Sequence, residues 1–168
     1  MQATLTKITP DKKHILFNLI QFYECEFAQY VLWDVEDDGL FKHEISDEWI
    51  EESPSYFIKV DSKLAGFVLL SAGDGGDRHT KWSINEFFIM PKYRRSGIGK
   101  YVYFKVLDEY KGDWQVVFHP KNKAASHFWA NATDEYTNGN YEYVKSHSHR
   151  DYVYCDGSQA DVIYFDNF

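Results

Sequence analysis

The run Arg94-Arg95-Ser96-Gly97-Ile98-Gly99-Lys100 sets two glycines among cationic residues, between a predicted strand that Pro91 ends and a predicted helix. Glycines allow positive φ and close approach, so consecutive backbone N–H groups and the helix N-terminus can cradle an anion. A phosphate-bearing cofactor is the chemistry implied, although such a turn is often only a turn. Counting excludes two phosphate loops. A Walker A loop needs Gly where Arg94 stands and Ser or Thr where Tyr101 stands, and a dinucleotide fingerprint starting at Gly97 needs a small residue where Val102 stands.

Glu86 lies inside a predicted strand, in phase with Ile84, Phe88 and Met90. A carboxylate there is costly unless it is solvated, paired or working. Glu24, Asp34, Glu36, Asp37 and Asp38 gather toward the end of the first predicted helix and in the loop after it. They suit a site that attracts a cationic amine, or simply a solvated acidic face. The Asp34-x-Glu36-x-Asp38-Gly39 run imitates half a calcium loop, but Ile45 stands where the bidentate Glu is needed. His147 and His149 would share a strand face near Asp151 and Cys155, yet no spacing supplies a third ligand, so no metal site is expected. Cys25 and Cys155 make no C-x-x-C pair, which disfavours a zinc ribbon or redox pair and fits a reducing cytoplasm.

The elements that must hold these residues read as follows. Residues 3–9 alternate as a strand. Leu16, Leu19, Ile20, Tyr23, Phe27 and Tyr30 recur on one helical face. A short helix covers 46–52, and strands at 56–60 and 65–72 flank a hairpin turn at Asp61-Ser62-Lys63. A glycine- and aspartate-rich loop at 73–80 leads to a strand at 82–90. A helix at 97–110, a strand at 114–118 and a helix at 122–132 follow. The last part carries three strand-like runs, YEYV, DYVYC and DVIYF. The order β-α-α-β-β-β-α-β-α-β-β is an α+β single domain without internal repeat.

Composition agrees. The chain has 168 residues, 44% of them hydrophobic, with 13 Tyr, 13 Phe and 5 Trp, enough for one core without disulfide or metal. A net charge of −8 disfavours nucleic acid and anionic membranes as partners. With no long apolar run, a soluble cytoplasmic chain is expected.

The stretch Phe87-Phe88-Ile89-Met90-Pro91-Lys92-Tyr93-Arg94-Arg95-Ser96-Gly97-Ile98-Gly99 resembles the GNAT superfamily of N-acetyltransferases, whose pattern is V-x-P-x-Y-R followed by R/Q-x-x-G-x-G/A. Asn122-Lys123-Ala124-Ala125-Ser126-His127-Phe128-Trp129 is similar to the family's N-x-x-A-x-x-F-Y. The resemblance implies a GNAT-like fold: a central mixed, mostly antiparallel sheet of about six or seven strands flanked by about four helices. It implies acetyl-coenzyme A as cosubstrate, with pyrophosphate on the loop of Arg94, Arg95, Ser96, Gly97, Ile98, Gly99 and Lys100. Pantetheine would lie along Phe87, Phe88 and Ile89, with Asn122, Phe128 and Trp129 as further cofactor contacts. Asn122 has a rival role as a helix N-cap.

The resemblance further implies transfer to a primary amine by direct attack on the thioester, with Glu86 taking the proton and a backbone N–H near Ile89 stabilising the oxyanion. Glu24, Asp34, Asp37 and Asp38 become acceptor-binding candidates, and His119 a second candidate base. Trp129 departs from the family's Tyr, whose phenol can protonate the leaving thiolate, and leaves Tyr136, Tyr141 and Tyr143 as other phenols. The acceptor, a small molecule or a protein amine, stays open, as does a homodimer. The alternatives are a CoA-binding or sensing module without transfer, and a partner-binding domain that uses the aromatic C-terminal strands.

Overall fold

The computed structural model describes residues 2–73 and 78–168. Half of the glycine–aspartate loop expected at 73–80, residues 74–77, therefore lies outside the described residues. Those described form β1 (Ala3–Lys7), α1 (Lys13–Val31), α2 (Asp47–Glu52), β2 (Ser55–Val60), β3 (Lys63–Gly73), β4 (Thr80–Ile89), α3 (Ile98–Glu109), β5 (Asp113–Phe118), α4 (Lys123–Thr137), β6 (Glu142–Val144) and β7 (Asp161–Asp166). The strands make one seven-stranded mixed sheet in the order β1-β2-β3-β4-β5-β7-β6, the architecture the resemblance implies. β4 and β5 run parallel, and the pairs β1/β2, β2/β3, β5/β7 and β6/β7 run antiparallel. No described helix is long and apolar enough to cross a membrane.

Two compact units divide the chain, Met1–Leu70 with Glu86–Val102 and Ser71–Asn85 with Tyr103–Phe168. In the first, α1 places Leu16, Leu19 and Ile20 against Phe57, Phe67, Leu69 and Phe88, the periodic face read from the sequence. Ser46 caps α2, its Oγ accepting from Trp49 N at 3.0 Å. The hairpin between β2 and β3 turns through Asp61 and Ser62, both at positive φ (48° and 66°), which suits the right-handed twist of the strands it joins.

Gly66 faces a register shift at Ile58/Lys59 and lets β3 approach β4 closely: a Cβ on it would stand 1.9 Å from the Phe88 carbonyl oxygen. Gly66→Ala should therefore destabilise the protein by more than ~2 kcal/mol in chemical denaturation. An unchanged midpoint would show that β4 is not held this tightly.

The second unit stacks Trp114 on Phe165 (6.3 Å, 7° between planes) and buries Tyr152, Ala160, Val162 and Tyr164 together. Two expectations need correction here. The DYVYC run is not a strand: residues 150–152 form a 3₁₀ turn and Val153 makes one bridge to Gln159. Local bonds bend the chain instead, with Tyr154 N donating to Ser158 O and Gly157 N to Tyr154 O. The helix expected to stop at residue 132 continues to Thr137, because Thr133 is buried under a 3.0 Å hydroxyl bond to Tyr103 and Tyr136 packs on Phe104. Asn138 and Gly139, at φ 52° and 82°, end it.

Candidate active site

The apolar stripe of α1 carries one carboxylate: Glu24 is buried in line with Leu16 and Ile20, with only 2% of its surface exposed. Nδ1 of His43, from the segment between α1 and α2, donates to Glu24 Oε1 over 2.7 Å, since a carboxylate only accepts. Glu24 Oε2 is buried without a hydrogen-bond partner. β4 brings Glu86 to the same unit. In phase with it, Phe88 packs on Tyr23 (ring centroids 6.2 Å apart) and Phe67 (5.8 Å). The Tyr23 phenol bonds the Glu86 carboxyl. Glu86 as a residue is half-buried, but its Oε2 is closed to solvent and has no partner.

Burial pushes the Glu86 carboxyl up to about 7, and the charge of Glu24 adds to the rise while Tyr23 and His43 oppose it. The bond to Glu24 raises the His43 pKa above its usual range; burial opposes, and the charges of Glu24 and Glu86 reinforce it. A carboxyl poised near neutrality with an orphan oxygen can accept a proton from a substrate. Sequence reasoning singled out Glu86 and Glu24 and read Tyr23 only as core. It missed His43, which no local pattern marks.

The glycine loop belongs to this unit too. After the 3₁₀ turn Pro91–Tyr93, Ser96 Oγ donates to Tyr93 O over 2.7 Å. Arg95 and Gly97 sit at φ 57° and 81°. A Cβ on Gly97 would meet no atom within 4 Å, so the loop leaves open space over its backbone. The first helical bond of α3 runs from Tyr101 N to Gly97 O, and the amides of Ile98 and Gly99 precede it. With the flanking Arg95 and Lys100, this fits a pyrophosphate.

Arg94, expected as a phosphate contact, also has partners within the protein. Its Nε donates to Ile89 O (2.6 Å), one terminal nitrogen donates to both Glu26 oxygens (2.9 and 2.8 Å), and its amide donates to Pro91 O. It braces the loop against α1 and the end of β4. The parallel register with β5 covers β4 only from Trp82 to Ile84, while β4 runs on through Phe87, Phe88 and Ile89. The Met90 amide donates to Ala65 O and is not the oxyanion donor expected near Ile89.

The acidic group read as one cluster is divided. Asp34, Asp37 and Asp38 are exposed in the turn after α1, where Asp38 accepts from Leu40 N, whereas Glu24 is the buried partner of His43.

The second unit holds the other named residues. Asn122 is the N-cap of α4, accepting from Ala125 N at 3.0 Å. Trp129 and Phe128 pack on Tyr103 at 5.1 and 6.3 Å. His119 is fully buried: Nδ1 accepts from Lys121 N and Nε2 donates to Asp156. Lys121 and Ser158 hold that Asp156 carboxyl well below the usual carboxylate range, so His119 serves in a clamp on the 156–158 turn. Tyr143 donates to Asp161 and Tyr136 to Asp108, so both phenols have structural partners. Ser146 at φ 50° breaks the strand after β6, and His147 turns inward instead of sharing a strand face with His149. Among the described residues, no three His, Cys, Asp or Glu are grouped to hold a metal ion. A cleft of about 310 Å³ lined by Arg78, Asp113, Tyr141 and Glu142 contains none of the orphan carboxylate oxygens.

Residues 18–132 match the profile of the Acetyltransferase (GNAT) family. Among solved structures, an acetyltransferase of the GNAT family from Streptococcus agalactiae superposes with a TM-score of 0.70 at 15% identity, covering 99% of this chain and 96% of that one. Arabidopsis thaliana Naa50, in complex with the bisubstrate analogue CoA-Ac-MVNAL, gives 0.60 at 13% identity over 100% of both chains. The ribosomal-protein-S18-alanine N-acetyltransferase from Escherichia coli gives 0.56 at 12% identity, covering 98% and 94%. No curated protein matches by sequence.

Proposed function

Because the chain belongs to the acetyltransferase (GNAT) family, we propose that it moves the acetyl group of acetyl-coenzyme A to a primary amine, with Glu86 as proton acceptor. The carrying observation is the buried, partnerless Oε2 of Glu86 on a carboxyl pushed up to about 7. A protonated amine has no lone pair to attack with, so a base that still accepts near neutral pH is what the reaction needs from the protein. Gly97 and the first amides of α3 hold the pyrophosphate, Arg94 fixes that loop, and the backbone of β4 beyond Ile84 offers the pantetheine an edge. The amine acceptor is supported by solved neighbours: one binds an analogue joining CoA to an acetylated peptide, and another is named for acetylating an alanine.

Free-thiol release from acetyl-CoA across a panel of small amines and peptides tests this reading. Transfer to any amine supports it, and tight CoA binding without transfer to any of them favours a sensing module instead. The exposed acids after α1 act on capture rather than chemistry. Neutralising Asp37 and Asp38 together should raise the acceptor KM several-fold and weaken its salt dependence, leaving kcat and the acetyl-CoA KM unchanged. An unmoved acceptor KM would reduce them to a solvated face.

A further inference from the structure

The apolar stripe of α1 outruns the core it serves. Leu16, Leu19 and Ile20 are buried in that core and Tyr23 packs against it, but the stripe continues through Phe27 and Tyr30, both half-buried, to the end of the helix. The rings follow one another in contact. Tyr23 meets Phe88 edge-on at 6.2 Å between centroids, Phe27 stacks on Tyr23 at 5.7 Å and 13° between planes, and Trp33 meets Phe27 edge-on at 5.9 Å. Phe88 lies two residues beyond Glu86 on the same face of β4, so the row starts next to the proposed base and ends on Trp33, which is 41% exposed.

Beyond the helix, residues 32–40 are exposed throughout, and each is apolar (Leu32, Trp33, Val35, Leu40), acidic or glycine. Four large apolar side chains in nine exposed positions are a patch that a soluble surface rarely leaves uncovered. The segment is also held in place. Gly39 N donates to Glu36 O and Glu36 N to Leu40 O, while the Gln21 side chain accepts from Phe41 N (2.7 Å) and donates to Phe41 O (3.1 Å).

Length decides what this surface reads. At ~1.5 Å per residue, α1 carries the row about 10 Å from Tyr23 to Tyr30, and Trp33 comes after that. A small amine with its nitrogen at Glu86 covers one ring step, whereas an extended chain at ~3.3 Å per residue reaches Trp33 within roughly four or five residues. Resting on the reading of Glu86 as base, we propose that the acceptor is the N-terminal segment of a peptide or protein, laying apolar side chains on Phe27 and Trp33 and basic ones among Asp34, Glu36, Asp37 and Asp38. Trp33 is then a specificity-determining contact, because its exposed area leaves water only when an apolar side chain lies on it. The acids supply the charge complementarity that favours lysine- or arginine-bearing segments and rejects acidic ones.

The test measures acetyl transfer to butylamine and to four peptides that share one first residue. These are a dipeptide amide, a heptapeptide of apolar and basic residues, the same heptapeptide with serine at its apolar positions, and the same with glutamate at its basic ones. In the wild type, kcat/KM for the apolar–basic heptapeptide should exceed that for each of the other three at least 10-fold. Trp33→Ala and, independently, Leu40→Ser should erase most of the gain over the serine peptide, through the acceptor KM rather than kcat. Equal kcat/KM for all four peptides overturns the proposal, and so does an apolar preference that survives both substitutions. Transfer to butylamine but to no peptide overturns it while leaving amine acetylation standing; no transfer to any acceptor removes that reading and the proposal with it. Sedimentation of each variant closes the remaining route. If Trp33→Ala turns a dimer into a monomer without altering peptide selectivity, the face belongs to a second copy of the chain and the proposal falls.

Discussion

Replacing Glu86 with glutamine is expected to lower kcat by roughly 10²–10⁴ with little change in acetyl-CoA affinity. Glutamine keeps the shape of the side chain and its bond to Tyr23 but cannot take a proton. The pH profile separates this from a packing defect. With the carboxyl up at about 7, the wild-type rate should fall as pH drops through that value, because protonated Glu86 no longer accepts. That acidic limb should be gone in the variant.

Folding stability carries the same signature with a definite sign. Between 4.5 and about 7 the folded protein binds a proton at Glu86 that the unfolded chain has released, so stability declines as pH rises through this window. Glu86→Gln should flatten that decline. A variant with wild-type kcat, the same limb and the same pH dependence of Tm would return Glu86 to the status of an ordinary strand glutamate.

Gly97→Val is expected to weaken CoA binding at least ~30-fold by calorimetry, about 2 kcal/mol, from losing one charge-assisted hydrogen bond or more. The structure separates the two costs of this change. Nothing in the protein lies within 4 Å of the new Cβ, so the fold has room for it, but on the proposed reading the Cβ would stand in the path of the pyrophosphate. The backbone at φ 81° is also strained for a β-branched residue. Gly157, at φ 79° and likewise open, supplies the control: Gly157→Val carries the same strain on another turn and should leave CoA affinity intact. Equal affinity losses in the two variants would assign the effect to strain alone.

The glycine turn between β4 and α3 was legible because its determinants are local, with strand, turn, glycines and helix start falling within one short run. Element order was legible for a similar reason, since the period of α1 and the turn at Asp61-Ser62 are set by neighbouring residues. The Glu24–His43 pair was only half visible, because its members come from α1 and an irregular segment and meet only in the folded chain. A signal for Glu24 did exist, as it falls four residues after Ile20 on the apolar stripe, where a carboxylate needs a partner. Nothing comparable marks His43. Arg94 shows the opposite case: its motif position suggests a ligand contact, and only tertiary structure reveals Glu26 beneath it. At 151–155, apolar alternation gave way to the bonds that close the turn around Asp156, which no periodicity reports.

The strand order also fixes which backbones could recruit a foreign strand. Its rims are β1 and β6, and β6 spans only Glu142–Val144, too short to template a stable added strand. β1 ends in Lys7, and Gln2 just before it is tied to Asp61 by two backbone-donated bonds, Gln2 N to the carboxylate and Asp61 N to Gln2 O. An open sheet this rich in aromatic residues is thereby guarded at the β6 rim against edge-to-edge stacking into fibrils, whereas the Gln2–Asp61 bonds extend the inner β1/β2 ladder and leave the outward edge of β1 to its charged end at Lys7.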